Sequence, residues 1–177
     1  WGDGLGGIIK SLVMIGDYLR YDSLYDDALY LIDRITREQI KKAQDKTVYG
    51  GLAGIMTALL TCFERFQHQY SLELATLCGE QILKNQQYLD NIGLGCGNSG
   101  IICALARLYD VTHEPHLYDA IQEMARYNAN LYNRRVCQKV PGSICSGIAG
   151  LGLACLAMPL GSDSIQVDIN PVIEQIL

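Results

Sequence analysis

Two of the seven cysteines, Cys96 and Cys145, stand one and two residues before a short glycine phrase at the start of an apolar helical pattern. A thiol in such a place can pass a proton or, as the thiolate, act as nucleophile or metal ligand. The space in front of a helix start also favours anions, through N–H groups with no partner inside the helix and through the helix dipole. Cys62, Cys78, Cys103 and Cys155 read differently, because they lie within apolar helical stretches and no regular disulfide spacing connects the seven. Cysteine of that kind packs as a small hydrophobe and points to buried thiols in a reducing compartment.

The phrase is a glycine, any residue, a small residue, a second glycine and an aliphatic. It recurs at Gly4-Leu5-Gly6-Gly7-Ile8, Gly51-Leu52-Ala53-Gly54-Ile55, Gly97-Asn98-Ser99-Gly100-Ile101 and Gly147-Ile148-Ala149-Gly150-Leu151, in steps of 47, 46 and 50 residues. A near-constant period of this size marks a repeat architecture, in which each unit buries its apolar face against its neighbours. Each unit runs through the phrase, an apolar helix, a short link and an amphipathic helix. In the first, Ile8, Leu12, Ile15 and Leu19 follow a helical period. A second helix is expected from about Leu24 to Lys42, with Leu24, Ala28, Leu31, Ile32 and Ile35 on one face and Asp26, Asp27, Asp33, Arg34, Arg37 and Glu38 on the other. Later units give Ile55 to Phe66 and Ser71 to Leu83, then Ile101 to Tyr109 and about Leu117 to Tyr132, then Leu151 to Met158. Asn170-Pro171 opens a last helix, since Asn caps well and Pro suits the first helical position.

These elements predict an all-α chain of helix pairs, with units at about 1–46, 47–92, 93–142 and 143–177, the last cut short. The first helix of each pair is the more apolar and is expected to line the interior. Glycines at its start allow backbone angles closed to other residues, permit close backbone approach and keep side chains out of the space ahead of the helix. With the pairs set around an axis, all four phrases face one central cavity.

Composition narrows the function classes. Hydrophobic residues make up 49% of the chain and charged residues 19%, as in an ordinary globular protein. A net charge of −5 and no Lys/Arg stripe argue against nucleic acid as a partner. No apolar run reaches the roughly 18 residues of a transmembrane segment. The start, Trp1-Gly2-Asp3-Gly4, carries neither an initiator Met nor a signal-peptide pattern and reads as the middle of something larger. His68, His113 and His116 fall on or near links and are expected to face solvent. Asp3 is expected to end a turn or cap a helix, with a cavity-facing role as the alternative.

The stretch Gly93-Leu94-Gly95-Cys96-Gly97-Asn98-Ser99-Gly100-Ile101 resembles the Gly-[Phe/Leu]-Ala-His-Gly-x-[Ser/Ala]-Gly-Ile motif of lanthionine synthetase C-like proteins. It is most similar to the cyclase domain of class II lanthipeptide synthetases. Ser143-Ile144-Cys145-Ser146-Gly147-Ile148-Ala149-Gly150 resembles that family's Trp-Cys-x-Gly-x-x-Gly motif, and the first two phrases match its plainer glycine motifs. The resemblance implies an α/α toroid of seven helix pairs, of which this chain supplies roughly the second to fifth. It implies a cytoplasmic enzyme that adds Cys thiols of a precursor peptide to dehydroalanine or dehydrobutyrine, with a central zinc that activates the thiol. It makes Cys145 a zinc ligand. The other two ligands come from a Cys-His-Gly motif one repeat further on, absent from this sequence. The resemblance places Cys96 where the family has a His that acts as acid or base, a role a thiol fills less well near neutral pH. It also places Thr47 where an Asp is often found, with Asp45 two residues too early.

Three readings follow. One is part of a lanthionine-forming cyclase, not competent alone, whose partners are the precursor peptide and the rest of the synthetase. The second is an all-α peptide-binding or scaffold module that has lost catalysis. The third, a toroid acting on sugars or isoprenoids, needs acidic residues at the helix starts and finds only Asp3. A toroid cut open would expose apolar flanks, so the chain alone is expected to be marginally folded or aggregation-prone.

Overall fold

The described residues of the computed structural model, 4–84, 87–135 and 142–159, form eight helices and no strand. The all-α expectation therefore holds. Asp3 and the helix expected from Asn170 lie outside the described residues. The chain divides into two bodies, Trp1–Gln86 and Gln87–Leu177.

The first body holds α1 (Leu5–Leu19), α2 (Ser23–Ile32), α3 (Arg37–Lys42), α4 (Leu52–Phe66) and α5 (Gln69–Lys84). The second holds α6 (Asn98–Thr112), α7 (Pro115–Arg135) and α8 (Ile148–Ala157). In the first body α1 packs on α2 and α4, and α4 packs on α5. In the second, α6 packs on α7 and α8. Within each body the helices that follow a glycine phrase thus lie side by side, and α1, α4 and α6 each pack against the helix that follows.

Three of the phrase-led helices are built to one measure. α1, α4 and α6 are each 15 residues long, with Gly4, Gly51 and Gly97 as N-caps. Each closes on a left-handed residue, Arg20, Gln67 or His113, all at φ 55°. That conformation usually belongs to Gly or Asn at a helix end. The N-cap glycines, by contrast, have φ between −112° and −132°, extended backbone open to any residue. The expectation that they supply special backbone angles is thus corrected: what two of them supply is space. A β-carbon on Gly51 would fall on the Asp45 carbonyl oxygen, and one on Gly97 on the Asn91 carbonyl oxygen.

Burial explains the packing. α4 is covered on most sides, with Leu52, Met56, Leu59, Leu60 and Cys62 fully buried between α1 and α5. Each such aliphatic stabilises the fold by about 1.5–3 kcal/mol. In α1 the buried stripe is Gly6, Ile9, Val13 and Gly16. Ile8, Ile15 and Leu19, which the helical period singles out, are instead 52%, 47% and 59% exposed. They lie on the face turned away from α2 and α4. At the end of α1, Tyr25 lays its ring on Gly16, where a β-carbon would come within 2.5 Å of Cε1. Tyr25 Oη and Arg65 Nε both donate to Asp17 Oδ1 at 2.7 Å, joining α1, α2 and α4.

The single helix expected from Leu24 to Lys42 is two. Thr36 starts a new helix with a capping box: Gln39 N–H donates to Thr36 Oγ1 at 3.2 Å, and Thr36 N–H donates to Gln39 Oε1 at 2.9 Å. The break buries Ile35 and lets Ile40 point inward as well. α5 supports the kinked segment, through Tyr70 Oη donating to the Ile35 carbonyl and Gln81 Nε2 donating to the Lys41 carbonyl.

Candidate functional site

The loops that lead into α4 and α6 are built alike. Six residues before each N-cap glycine stands an Asx residue whose side chain folds the chain back on itself: Asp45 Oδ1 accepts from Thr47 N–H at 2.7 Å, and Asn91 Oδ1 accepts from Gly93 N–H at 2.8 Å. Their carbonyls then accept from the first helical N–H, Leu52 at 3.0 Å and Asn98 at 2.9 Å. Asp45 and Asn91 thereby satisfy donors that the helix itself leaves open. This gives Asp45 a structural role as the counterpart of Asn91.

The loops before α6 and α8 interlock. Leu94 N–H donates to the Ile144 carbonyl and Gly95 N–H to the Cys145 carbonyl, both at 2.9 Å, and Cys96 N–H reaches the same Cys145 oxygen at 3.4 Å. Glycines make the approach possible. A β-carbon on Gly93 would fall on the backbone of Cys145 and Ser146, and one on Gly150 would come within 2.5 Å of Leu94 N. On Gly95 it would take the place of Cys145 Sγ. Beneath the loops, Ile92, Tyr132 and Leu151 form an apolar floor with Leu131 and Ile148 against it.

Cys96 and Cys145 are both exposed, and the interlock brings these two sequence-selected residues to one glycine-lined notch. That donor chemistry suits a thiophilic ion such as zinc, which the resemblance implies. Among the described residues, no group of three or more His, Cys, Asp or Glu is placed to hold a metal ion. Among the remaining described thiols Cys155, expected to be buried, is exposed as well, whereas Cys62 and Cys78 are buried and Cys103 is half-buried. Burial pushes Cys62 and Cys103 up to about 11 and Cys78 up to about 12, so they stay protonated and unreactive near neutrality.

Sequence reasoning missed a buried polar network behind the notch. Asn98 and Ser99, at the start of α6, and Asn128 on α7 are fully buried. Asn98 Nδ2 donates to the Leu89 carbonyl at 2.7 Å and to Asn128 Oδ1 at 2.9 Å, while its Oδ1 accepts from Leu89 N–H at 2.8 Å. Ser99 Oγ donates to the Ile92 carbonyl and accepts from Asn128 Nδ2. The network fixes the 89–97 segment that carries Cys96. Its signal was visible, since Asn98-Ser99 stands where the second phrase has the apolar Leu52-Ala53.

The histidines take no part in the interlocked loops. His68 Nδ1 is 2.8 Å from Ser71 Oγ at the start of α5, His113 ends α6, and His116 lies exposed 3.9 Å from Glu114. Among the described residues, no helix is long and apolar enough to cross a membrane.

None of the curated proteins compared with the chain matches it significantly. The sequence profile of the family described as "Lanthionine synthetase C-like protein" matches residues 3–177. Nearly the whole chain is covered, glycine phrases, interlocked loops and Cys145 included, and the protein belongs to the lanthionine synthetase C-like family.

Proposed function

We propose that this chain is part of a lanthionine-forming cyclase domain, in which peptide Cys thiols add to dehydrated Ser or Thr residues of a precursor peptide. The observation that carries the reading is Cys145, an exposed thiol seated against Gly95 in a family member matched along its length. Cys145 would be a zinc ligand, and zinc when bound would lower the pKa of an incoming thiol so that its thiolate is available near pH 7. The chain's own contribution is positional. Gly93, Gly95 and Gly150 let two helix starts meet, and the absence of a side chain on Gly95 keeps the Cys145 thiol in its seat. The recurring 15-residue helices, with matching caps, support the proposal that the pairs belong to an α/α toroid, and the family resemblance implies a cytoplasmic enzyme. The precursor peptide and the remaining helix pairs of the synthetase would be its partners.

Cys96 favours a second reading, a peptide-binding module without catalysis, because a thiol is a weaker neutral-pH acid or base than the imidazole at the matching family position. One experiment separates the two. The protein, extended by the remaining helix pairs of the proposed domain, is incubated with zinc and a synthetic peptide carrying one Cys and one dehydroalanine, and alkylation then counts the remaining peptide thiols. Loss of the thiol without a change in peptide mass, abolished by Cys145→Ala, supports the cyclase. Peptide binding with no loss of thiol supports the binding module.

A further inference from the structure

We propose that Cys96 and Cys145 act as one dithiol clamp, with Cys96 a second protein ligand to the thiophilic cation rather than a proton-transfer group. The inference rests on the reading of Cys145 as a metal ligand and adds Cys96 to it. The Cys96 N–H to Cys145 carbonyl hydrogen bond, at 3.4 Å, sets a limit. With standard bond lengths it caps the separation of the two Cα atoms at about 7 Å. That is the outer limit at which two cysteines can be joined even by a direct S–S bond of about 2.05 Å. Two Zn–S bonds of about 2.3 Å each span more than one S–S bond, so one ion meets both sulfurs more easily.

The surroundings agree with the assignment. Cys96 lies between Gly95 and Gly97, so no neighbouring β-carbon stands between its segment and the Cys145 thiol resting on Gly95. Both residues are exposed and therefore open to an ion from solution. The polar network of Asn98, Ser99 and Asn128 holds the Cys96 loop, and three backbone hydrogen bonds hold the Cys145 loop to it. Chemistry decides between the two roles for Cys96. As a ligand to a soft or borderline metal, thiolate equals or exceeds imidazole.

Cadmium titration of the full chain under reducing conditions tests this, read by the thiolate-to-cadmium charge-transfer band. Wild type is expected to bind the first equivalent tightly. Cys96→Ser and Cys145→Ser should each weaken that phase by at least tenfold, whereas Cys155→Ser should leave it unchanged, with the circular dichroism of all three matching wild type. If Cys145→Ser alone weakens binding, Cys96 is not a ligand and the clamp fails, while the reading of Cys145 stands. If neither variant weakens it, both fail. A second measurement does not use the metal: a trivalent aryl arsenoxide condenses with two adjacent thiols, forming two As–S bonds and releasing one water. Peptide mapping should find the arsenic bridging Cys96 and Cys145. Arsenic bridging any other pair, with Cys96 and Cys145 unlinked, overturns the clamp.

Discussion

Cys145 rests its Sγ on Gly95, in the space that a β-carbon at that position would occupy. The catalytic promise of the fourth glycine phrase therefore depends on a residue of the third. Neither loop holds this thiol alone.

Two alanine substitutions separate the backbone interlock from the thiol seat. On Gly93 a methyl would meet backbone atoms of Cys145 and Ser146, which have nowhere to turn. Gly93→Ala should force the loops apart at a cost of about 1–3 kcal/mol, as overpacking does elsewhere. On Gly95 the nearest obstacle is the Cys145 thiol, which rotates about one bond. Gly95→Ala should cost less than about 1 kcal/mol and yet displace the thiol. The thermal midpoint should fall clearly for Gly93→Ala and little for Gly95→Ala, while only wild type retains tight cadmium binding. Equal midpoints for Gly93→Ala and wild type would refute the interlock.

The buried network behind Cys96 gives the next prediction. Asn98→Ala leaves the Leu89 amide, the Leu89 carbonyl and Asn128 Oδ1 without this partner. Buried polar groups stripped of a partner cost about 1–3 kcal/mol apiece, less whatever water restores. Asn98→Ala and Asn128→Ala should each destabilise the protein by about 2 kcal/mol or more, and the double variant by less than the sum. Chemical denaturation of the four proteins supplies the cycle. Strict additivity would show that the two side chains do not act together.

How much of this was legible from residues depends on the kind of interaction. The helix starts were legible because Gly4, Gly51 and Gly97 recur every 46–47 residues, and each proved to be an N-cap. The break before Thr36 was overlooked although Thr36 and Gln39 form a capping-box spacing, because the apolar period of Leu24 to Ile35 continues across it. The α1 face was misjudged for a related reason. Ile8, Ile15 and Leu19 share a period with one another, but periodicity does not say which of two apolar stripes meets a neighbour. At the site, a linear reading picked out Cys96 and Cys145 but not their contact, which rests on backbone hydrogen bonds between residues about fifty apart.

The helix ends predict a gain in stability. Gln67 holds a left-handed φ of 55° at the end of α4, is exposed, and uses its backbone N–H to bond the Phe63 carbonyl at 2.7 Å. Glycine keeps that bond and relieves the crowding of Cβ in this region. Gln67→Gly should stabilise the protein by about 0.5–1 kcal/mol, whereas Gly51→Ala, at the other end of the same helix, should destabilise it. A rise in the denaturation midpoint for the first and a fall for the second checks both. A fall for Gln67→Gly would mean that the side chain, not the backbone, secures this end.

The thiols order themselves by accessibility and pH. Cys96 and Cys145 are exposed, whereas burial holds Cys62 and Cys103 at about 11 and Cys78 at about 12. Since the thiolate is the reacting species, iodoacetamide near pH 7.5 should label Cys96 and Cys145 first and Cys78 only on unfolding. The same shifts set the direction of a pH dependence. In the unfolded chain these thiols ionise near pH 8.5, while in the folded protein they stay neutral. Their stabilising contribution is therefore complete below about pH 8.5 and is lost as pH rises through 11 to 12. Urea unfolding from pH 7 to 11 should show a midpoint that falls on the alkaline side, and Cys78→Ala should make that fall shallower by about one proton's worth, whatever it costs at pH 7. An alkaline slope unchanged by Cys78→Ala would place this thiol in contact with solvent and overturn its burial.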